Sequence, residues 1–217
     1  MDRWAVFDVD GTLLPNTSME KMFILYLIKK NFLPAENILY YFLRVLLLSI
    51  HENIIEAFKN NKYYLKNLPI EKIEPLGKKF TRTNILPKIS KIGLKKIEKY
   101  RNNGFNILIM SGSPDFLVQS LEHFIQYHAL IATELEKRGN YFTGRVKGLH
   151  PYGKRKSILI KKFSHIWKIS LPDSIVFANH HSDADHMELF GQAVVVNPTK
   201  KLIPIAKKYH WPIEWWR

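Results

Sequence analysis

Four short, nearly unbroken apolar runs constrain this chain more than any other feature. They are Trp4-Ala5-Val6-Phe7, Phe105-Asn106-Ile107-Leu108-Ile109-Met110, Ser174-Ile175-Val176-Phe177-Ala178 and Ala193-Val194-Val195-Val196. Runs of this length, bounded by turn residues, read as strands covered on both faces. Helical patterns separate them. Ile89, Ile92, Leu94 and Ile97 lie along one expected helix face, which Asn102-Asn103-Gly104 ends. Pro114-Asp115 suits a helix first turn, continued by Phe116, Leu117 and Leu121. Further helices are expected over 156–167 and 201–209. A short strand is expected over 129–133, and a hairpin arm over 141–146. Strands alternating with helices predict an α/β fold, a doubly wound and mostly parallel sheet with helices on both faces.

Between about Asn16 and Leu86 the character changes, and no strand signal appears. Asn16, Thr17 or Ser18 could cap a first helix. Pro34 suits the first turn of a second, apolar from Ile38 to Ile50. A third helix is expected near Glu52, carrying Ile54, Ile55 and Phe58, and a fourth over 70–81. The expected organisation is an α/β core over 1–15 and 88–217, with an all-helical cap over 16–87.

In such sheets, sites form beyond the carboxyl ends of the strands. Three expected strands end in polar clusters. The first is Asp8-Val9-Asp10-Gly11-Thr12, where alternation puts both carboxylates on one side of an extended chain. Paired carboxylates repel unless a cation or a shared proton relieves them, and Mg²⁺ prefers such hard oxygen ligands. A strand ending in a polar turn would need no chemistry. The second is Ser111-Gly112-Ser113-Pro114, where a hydroxyl and free N–H groups at a helix start suit an anion. The third runs from Asn179 to His186. Its His180, His181 and His186 have no cysteine or matched-spacing partner, so they read as polar loop residues. Gly153-Lys154-Arg155-Lys156 precedes a helix and could supply a fixed ammonium to a phosphate.

The string Asp8-Val9-Asp10-Gly11-Thr12-Leu13 resembles motif I of the haloacid dehalogenase superfamily, whose members are mostly Mg²⁺-dependent phosphohydrolases. Ser113 to Val118, Ala132 to Glu136, Thr143 to Val146 and Val196-Asn197-Pro198 are similar to the subgroup of phosphoserine phosphatase and bacterial phosphatidylglycerophosphate phosphatases. The resemblance implies Asp8 as the nucleophile that forms an aspartyl-phosphate and Asp10 as acid and base. It implies Ser111 as a phosphate ligand and Lys156, rather than Lys154, as the charge-neutralising lysine. Thr12, Gly112 and Ser113 would line the substrate site. The Mg²⁺ set would be Asp8, the backbone carbonyl of Asp10, Asn179 and Asp183. Asn179 departs from the motif, which usually offers aspartate there.

Charge adds a constraint on partners. With 33 basic and 19 acidic side chains, the formal charge is +14. Lysines fall in scattered pairs rather than one tail, so a dedicated nucleic-acid arm is not expected. The greasiest run, 38–50, is shorter than the roughly 20 residues of a spanning helix. The N-terminus enters a strand at once, which argues against a signal peptide, and the lack of cysteine suits a reducing compartment. The expected location is therefore the cytoplasm. Phe23, Leu25, Tyr26, Tyr40, Tyr41, Phe42, Leu46, Leu47 and Leu48 fit a bundle core. Together with Trp211, Trp215 and Trp216 they would also suit peripheral contact with an anionic membrane. The expected substrate is a phosphorylated small molecule or a lipid phosphate, and no partner protein is evident. Two alternatives stay open. One is a fold retained for binding after Asn179 weakened turnover; the other is a basic phosphatase associated with nucleic acid.

Overall fold

The structure is a computed structural model, and it describes residues 1–51 and 54–217. The expected third-helix start at Glu52 lies outside the described residues, as does the side chain of Ile55. Six strands form one parallel sheet. They are β1 (Trp4–Asp8), β2 (Asn106–Pro114), β3 (Ala129–Thr133), β6 (Ile175–Ala178), β7 (Gln192–Val196) and β8 (Ile213–Glu214), in the order β3-β2-β1-β6-β7-β8. Between β3 and β6, β4 (Leu135–Arg138) and β5 (Tyr141–Val146) form a separate antiparallel hairpin.

The apolar runs are continuous because both faces of the sheet are covered. Ala5, Phe7, Ile107, Ile109, Ile175, Phe177, Val194 and Val196 point into one core. Their neighbours Trp4, Val6, Leu108, Met110, Val176, Ala178, Ala193 and Val195 point into the other. On the first face Phe7 stacks on Phe177 at 4.6 Å, and Trp216, 1% exposed, packs beside both. Trp216 is therefore core, which removes it from any membrane-facing set.

Nine α-helices lie among the described residues, besides short 3₁₀ and π turns. They are α1 (Met19–Lys29), α2 (Ala35–Leu48), α3 (Ile54–Asn60), α4 (Ile70–Phe80), α5 (Lys91–Asn102), α6 (Asp115–Gln119), α7 (Lys154–Ile166), α8 (Ala184–Met187) and α9 (Leu202–Lys208). Ser18 caps α1 by accepting from the Lys21 N–H. Ser90 caps α5 in the same way through Gly93. That cap sets the phase of α5. Gly93 and Ile97 turn inward, Ile89 is buried just before the helix, and Ile92 and Leu94 point to solvent. The expected four-residue face is thus split.

Residues 16–87 are not wholly helical. The turn at 67–69 that leads into α4 pairs with β5 through a Pro69–Tyr141 bridge, with Asn67 N–H donating to Phe142 O, Phe142 N–H to Leu68 O and Ile70 N–H to Asn140 O (2.9, 3.1 and 2.9 Å). Phe23, Leu27, Tyr64 and Phe80 from this region join the same core as Phe7, Leu117 and Phe142.

Candidate active site

β1 is central, with β2 on one side and β6 on the other, so the chain reverses its winding there. The loops after these three strands open on one edge, the place where such sheets bind ligands. They enclose a cavity of about 120 Å³ lined by Asp8, Asp10, Gly112, Ser113, Lys156, Asn179 and Asp183.

Asp8, the last residue of β1, is 6% exposed. Its Oδ1 accepts from Lys156 Nζ at 2.8 Å and its Oδ2 from Thr12 Oγ1 at 2.9 Å. Burial, followed by the charges of Asp183 and Asp10, outweighs Lys156 and raises its carboxyl to about 6. Lys156 also reaches Asp183 Oδ1 at 3.1 Å. Burial acts against the Lys156 ammonium, but the two carboxylates outweigh it and hold the group charged. Burial likewise pushes Asp183 up, and Lys156 more than reverses this, leaving it below the usual carboxylate range. Lys154, by contrast, is exposed.

Asp10 is held as a rigid acceptor. Its Oδ1 takes the Met19 N–H at 2.7 Å, at the first turn of α1. Its Oδ2 takes the hydroxyls of Ser111 (2.9 Å) and Ser113 (2.8 Å), from the end of β2. Directly after Asp10, Gly11 adopts φ +88°, and a Cβ there would lie 2.1 Å from Asn179 Nδ2. Only glycine allows this turn against that amide. Asn179 Oδ1 stands 3.5 Å from Thr12 Oγ1, the same hydroxyl that serves Asp8. All the expected site residues therefore gather at one edge of the sheet.

The histidines after β6 diverge. His180 bonds Ser182 through Nδ1 (2.7 Å), whereas His186 is buried beneath the loop. Among the described residues, no three His, Cys, Asp or Glu side chains stand together to hold a metal by themselves. A cation at Asp8 would need the Asn179 amide and a backbone carbonyl as well. The donors that Asp8, Asp10, Asn179 and Asp183 offer to the cavity are hard oxygens, which fits Mg²⁺.

Several lining residues are invisible to motif reasoning. Glu20, on α1, pairs with the buried Lys62 at 2.5 Å and accepts from Tyr64 Oη at 3.0 Å. Its carboxylate is thus already neutralised. Lys59, on α3, places Nζ 3.6 Å above the Tyr152 ring and lines the cavity. Burial, then Lys156, lowers its affinity for a proton. His150 accepts no charge: burial, then Lys62, holds it well below the ordinary histidine range. Thr133 Oγ1 donates to Gly112 O, so at 2.7 Å it accepts from His150 Nδ1–H. That assigns the tautomer and leaves Nε2 as a buried lone pair without a partner. The residues before Tyr152 carry no motif that would have marked His150 in advance.

His150 and His186 give a stability prediction. Burial lowers His186 to about 3, with Lys156 the next cause. Below pH ~6.5 the unfolded chain binds protons that the fold refuses, so stability falls as pH drops. The slope is at most about 1.4 kcal/mol per pH unit for each histidine. Asp8, raised in the fold, offsets part of this below about pH 6. Thermal midpoints should fall from pH 7 to 4.5, and His186→Gln should flatten the fall.

Comparison with known proteins decides the family. The family model for haloacid dehalogenase-like hydrolase matches residues 5–188. The chain belongs to that family. A histidinol-phosphatase from Neisseria meningitidis serogroup C (strain 8013) is 23% identical over 98% of both chains. A solved protein of unknown function from Bordetella pertussis Tohama I superposes with TM-score 0.82 at 19% identity, over 99% of this chain and 98% of that one. A structure described as a phospho-aspartyl intermediate analogue of phosphoserine phosphatase gives TM-score 0.65 at 21% identity, over 100% and 94%. These structures share the α/β fold expected from the sequence. The haloacid dehalogenase-like protein described here is a phosphatase.

Proposed function

We propose that this phosphatase hydrolyses phosphomonoesters through an aspartyl-phosphate on Asp8. The carrying observation is the pairing of a doubly held nucleophile with a separately fixed acid. Lys156 and Thr12 orient the Asp8 carboxylate, while Met19 N–H, Ser111 and Ser113 fix Asp10 in the same cavity. Asp8 attacks phosphorus in line as the ester oxygen departs. Asp10 gives that oxygen a proton, then takes one from the water that cleaves the aspartyl-phosphate. Lys156 offsets charge on the phosphoryl oxygens, and the Ser111 and Ser113 hydroxyls orient Asp10 against it. The Asp8 and Asp183 carboxylates, the Asn179 amide and the Asp10 carbonyl would hold Mg²⁺. Mg²⁺ would supply further charge neutralisation.

The cap, taken as residues 16–87, selects the leaving group. Glu20 is neutralised by Lys62, and Lys59 faces the cavity, so this side favours a polar or anionic leaving group over a cationic one. Relatives named for histidinol phosphate and phosphoserine support a small phosphorylated molecule. A lipid phosphate is the other source of the same monoester chemistry.

Phosphate release from p-nitrophenyl phosphate should require Mg²⁺ and stop with EDTA. Turnover unaffected by EDTA would contradict the oxygen-ligand set. Asn179→Asp adds a charged ligand and should tighten the Mg²⁺ half-saturation on the order of tenfold. If wild type were inert and only Asn179→Asp turned over, the binding-protein reading would replace this one.

A further inference from the structure

The outer face of α2 is apolar and uncovered. Leu39, Phe42, Leu43, Leu46, Leu47 and, just past the helix end, Ile50 recur at spacings of three and four, which puts them on one stripe. Each is exposed, with Leu46, Leu47 and Ile50 at 63, 66 and 71%. Leu25 and Ile28 of α1 and Ile54 and Phe58 of α3 are exposed as well. More than half of the large exposed hydrophobics of the described chain thus fall between residues 25 and 58. A monomer surface rarely carries so contiguous an apolar patch without using it.

Rotation of the helix cannot hide the stripe. The opposite face is already committed: Val45 is 2% exposed, and the buried Asn37 donates to the carbonyls of Tyr64 (3.2 Å) and Lys66 (2.8 Å). Turning α2 would break those bonds and expose Val45. The expectation of a bundle core therefore holds for Phe23, Tyr26 and Tyr41, and fails for Leu25, Tyr40, Phe42, Leu46 and Leu47, while Leu48 is half-buried.

Charge selects the occupant. The chain carries +14, and between Glu36 and Glu52 it has no carboxylate, only Arg44 and His51. Lys29 and Lys30 are exposed at the end of α1. A second copy would bring another +14 against this face, whereas an anionic lipid surface attracts it. An amphipathic helix with an apolar stripe and basic neighbours lies in the membrane interface.

We propose that the outer face of α2 docks the enzyme on anionic lipid membranes. The face belongs to the same helical layer that brings Lys59 to the cavity. α2 holds α3 and the segment after it, where Asn61 donates to Tyr41 O at 2.7 Å. Docking there holds the mouth of the site near the lipid headgroups. Only this consequence for the substrate rests on the phosphatase reading; the docking itself does not.

The test is co-sedimentation of the full chain with phosphatidylcholine vesicles, with and without one quarter phosphatidylglycerol. The bound fraction should rise at least several-fold with the anionic lipid and fall as salt is added. Leu43→Gln/Leu47→Gln changes no charge and touches no site residue. It should abolish binding while leaving p-nitrophenyl phosphate turnover unchanged. A wild type that stays in solution overturns the proposal, as does a double variant that still binds. A concentration-dependent dimer lost in the double variant, with no vesicle binding, assigns the face to a second copy instead. Binding without any turnover would leave the docking intact and remove the phosphatase reading of Asp8.

Discussion

Asp8→Asn should reduce turnover by at least ~10³-fold, with substrate binding and folding nearly intact. The amide is close in size to the carboxylate, but it cannot attack phosphorus. Asp8 Oδ2 accepts from Thr12 and its Oδ1 from Lys156, and an amide oxygen can keep one of these contacts. Lys156 retains Asp183 at 3.1 Å, so it is not left unpaired. The variant also removes a buried group whose ionisation burial opposes. Stability should therefore hold or rise slightly. Steady-state rates with an unfolding curve separate the two effects. A variant that is both inactive and strongly destabilised would show that Asp8 serves the fold as much as the chemistry.

Lys156→Met should damage the fold as well as the rate. Lys156 is 3% exposed, and it is the cation between two buried carboxylates, Asp8 and Asp183. Removing one member of a buried ion pair leaves uncompensated charge and costs about 3–5 kcal/mol. Part of that loss should return in acid, because protonating Asp8 relieves the repulsion. Wild type should instead lose stability over that range, since its buried histidines outweigh the offset from Asp8. Denaturant midpoints at pH 7 and pH 5 check this. Added Mg²⁺ should also restore part of the stability, since a cation would take the place of the missing ammonium. Lys154→Met, an exposed neighbour, should change neither quantity.

The sheet was legible because its strands are covered on both faces, so their apolar runs are unbroken and end abruptly in polar residues. The same abruptness marked Asp8, Ser111 and Asn179 as one edge. Phase within helices was harder to read. Ile92 and Leu94 look inward by spacing, but the Ser90 cap and the packing of Gly93 against Leu13 and Trp216 turn them out. In α2 nearly every position is apolar, so periodicity cannot choose the buried side; the amide of Asn37 does, through backbone carbonyls about thirty residues away. Pairings across long sequence separations left no local mark. Glu20 reads as an ordinary first-turn acid until Lys62 and Tyr64 fold against it. His150 becomes a cavity residue only when β3 brings Thr133 to its ring. Trp216 looked like an interfacial aromatic, yet β8 draws it into the core beside Phe7.

The most direct measurement is mass spectrometry of the acid-quenched enzyme after brief mixing with p-nitrophenyl phosphate and Mg²⁺. A single phosphoryl group on the peptide containing Asp8, absent in Asp8→Asn and transient in wild type, is the expected result. A phosphoryl group on another residue, or steady turnover with none trapped at any quench time, would contradict Asp8 as the nucleophile.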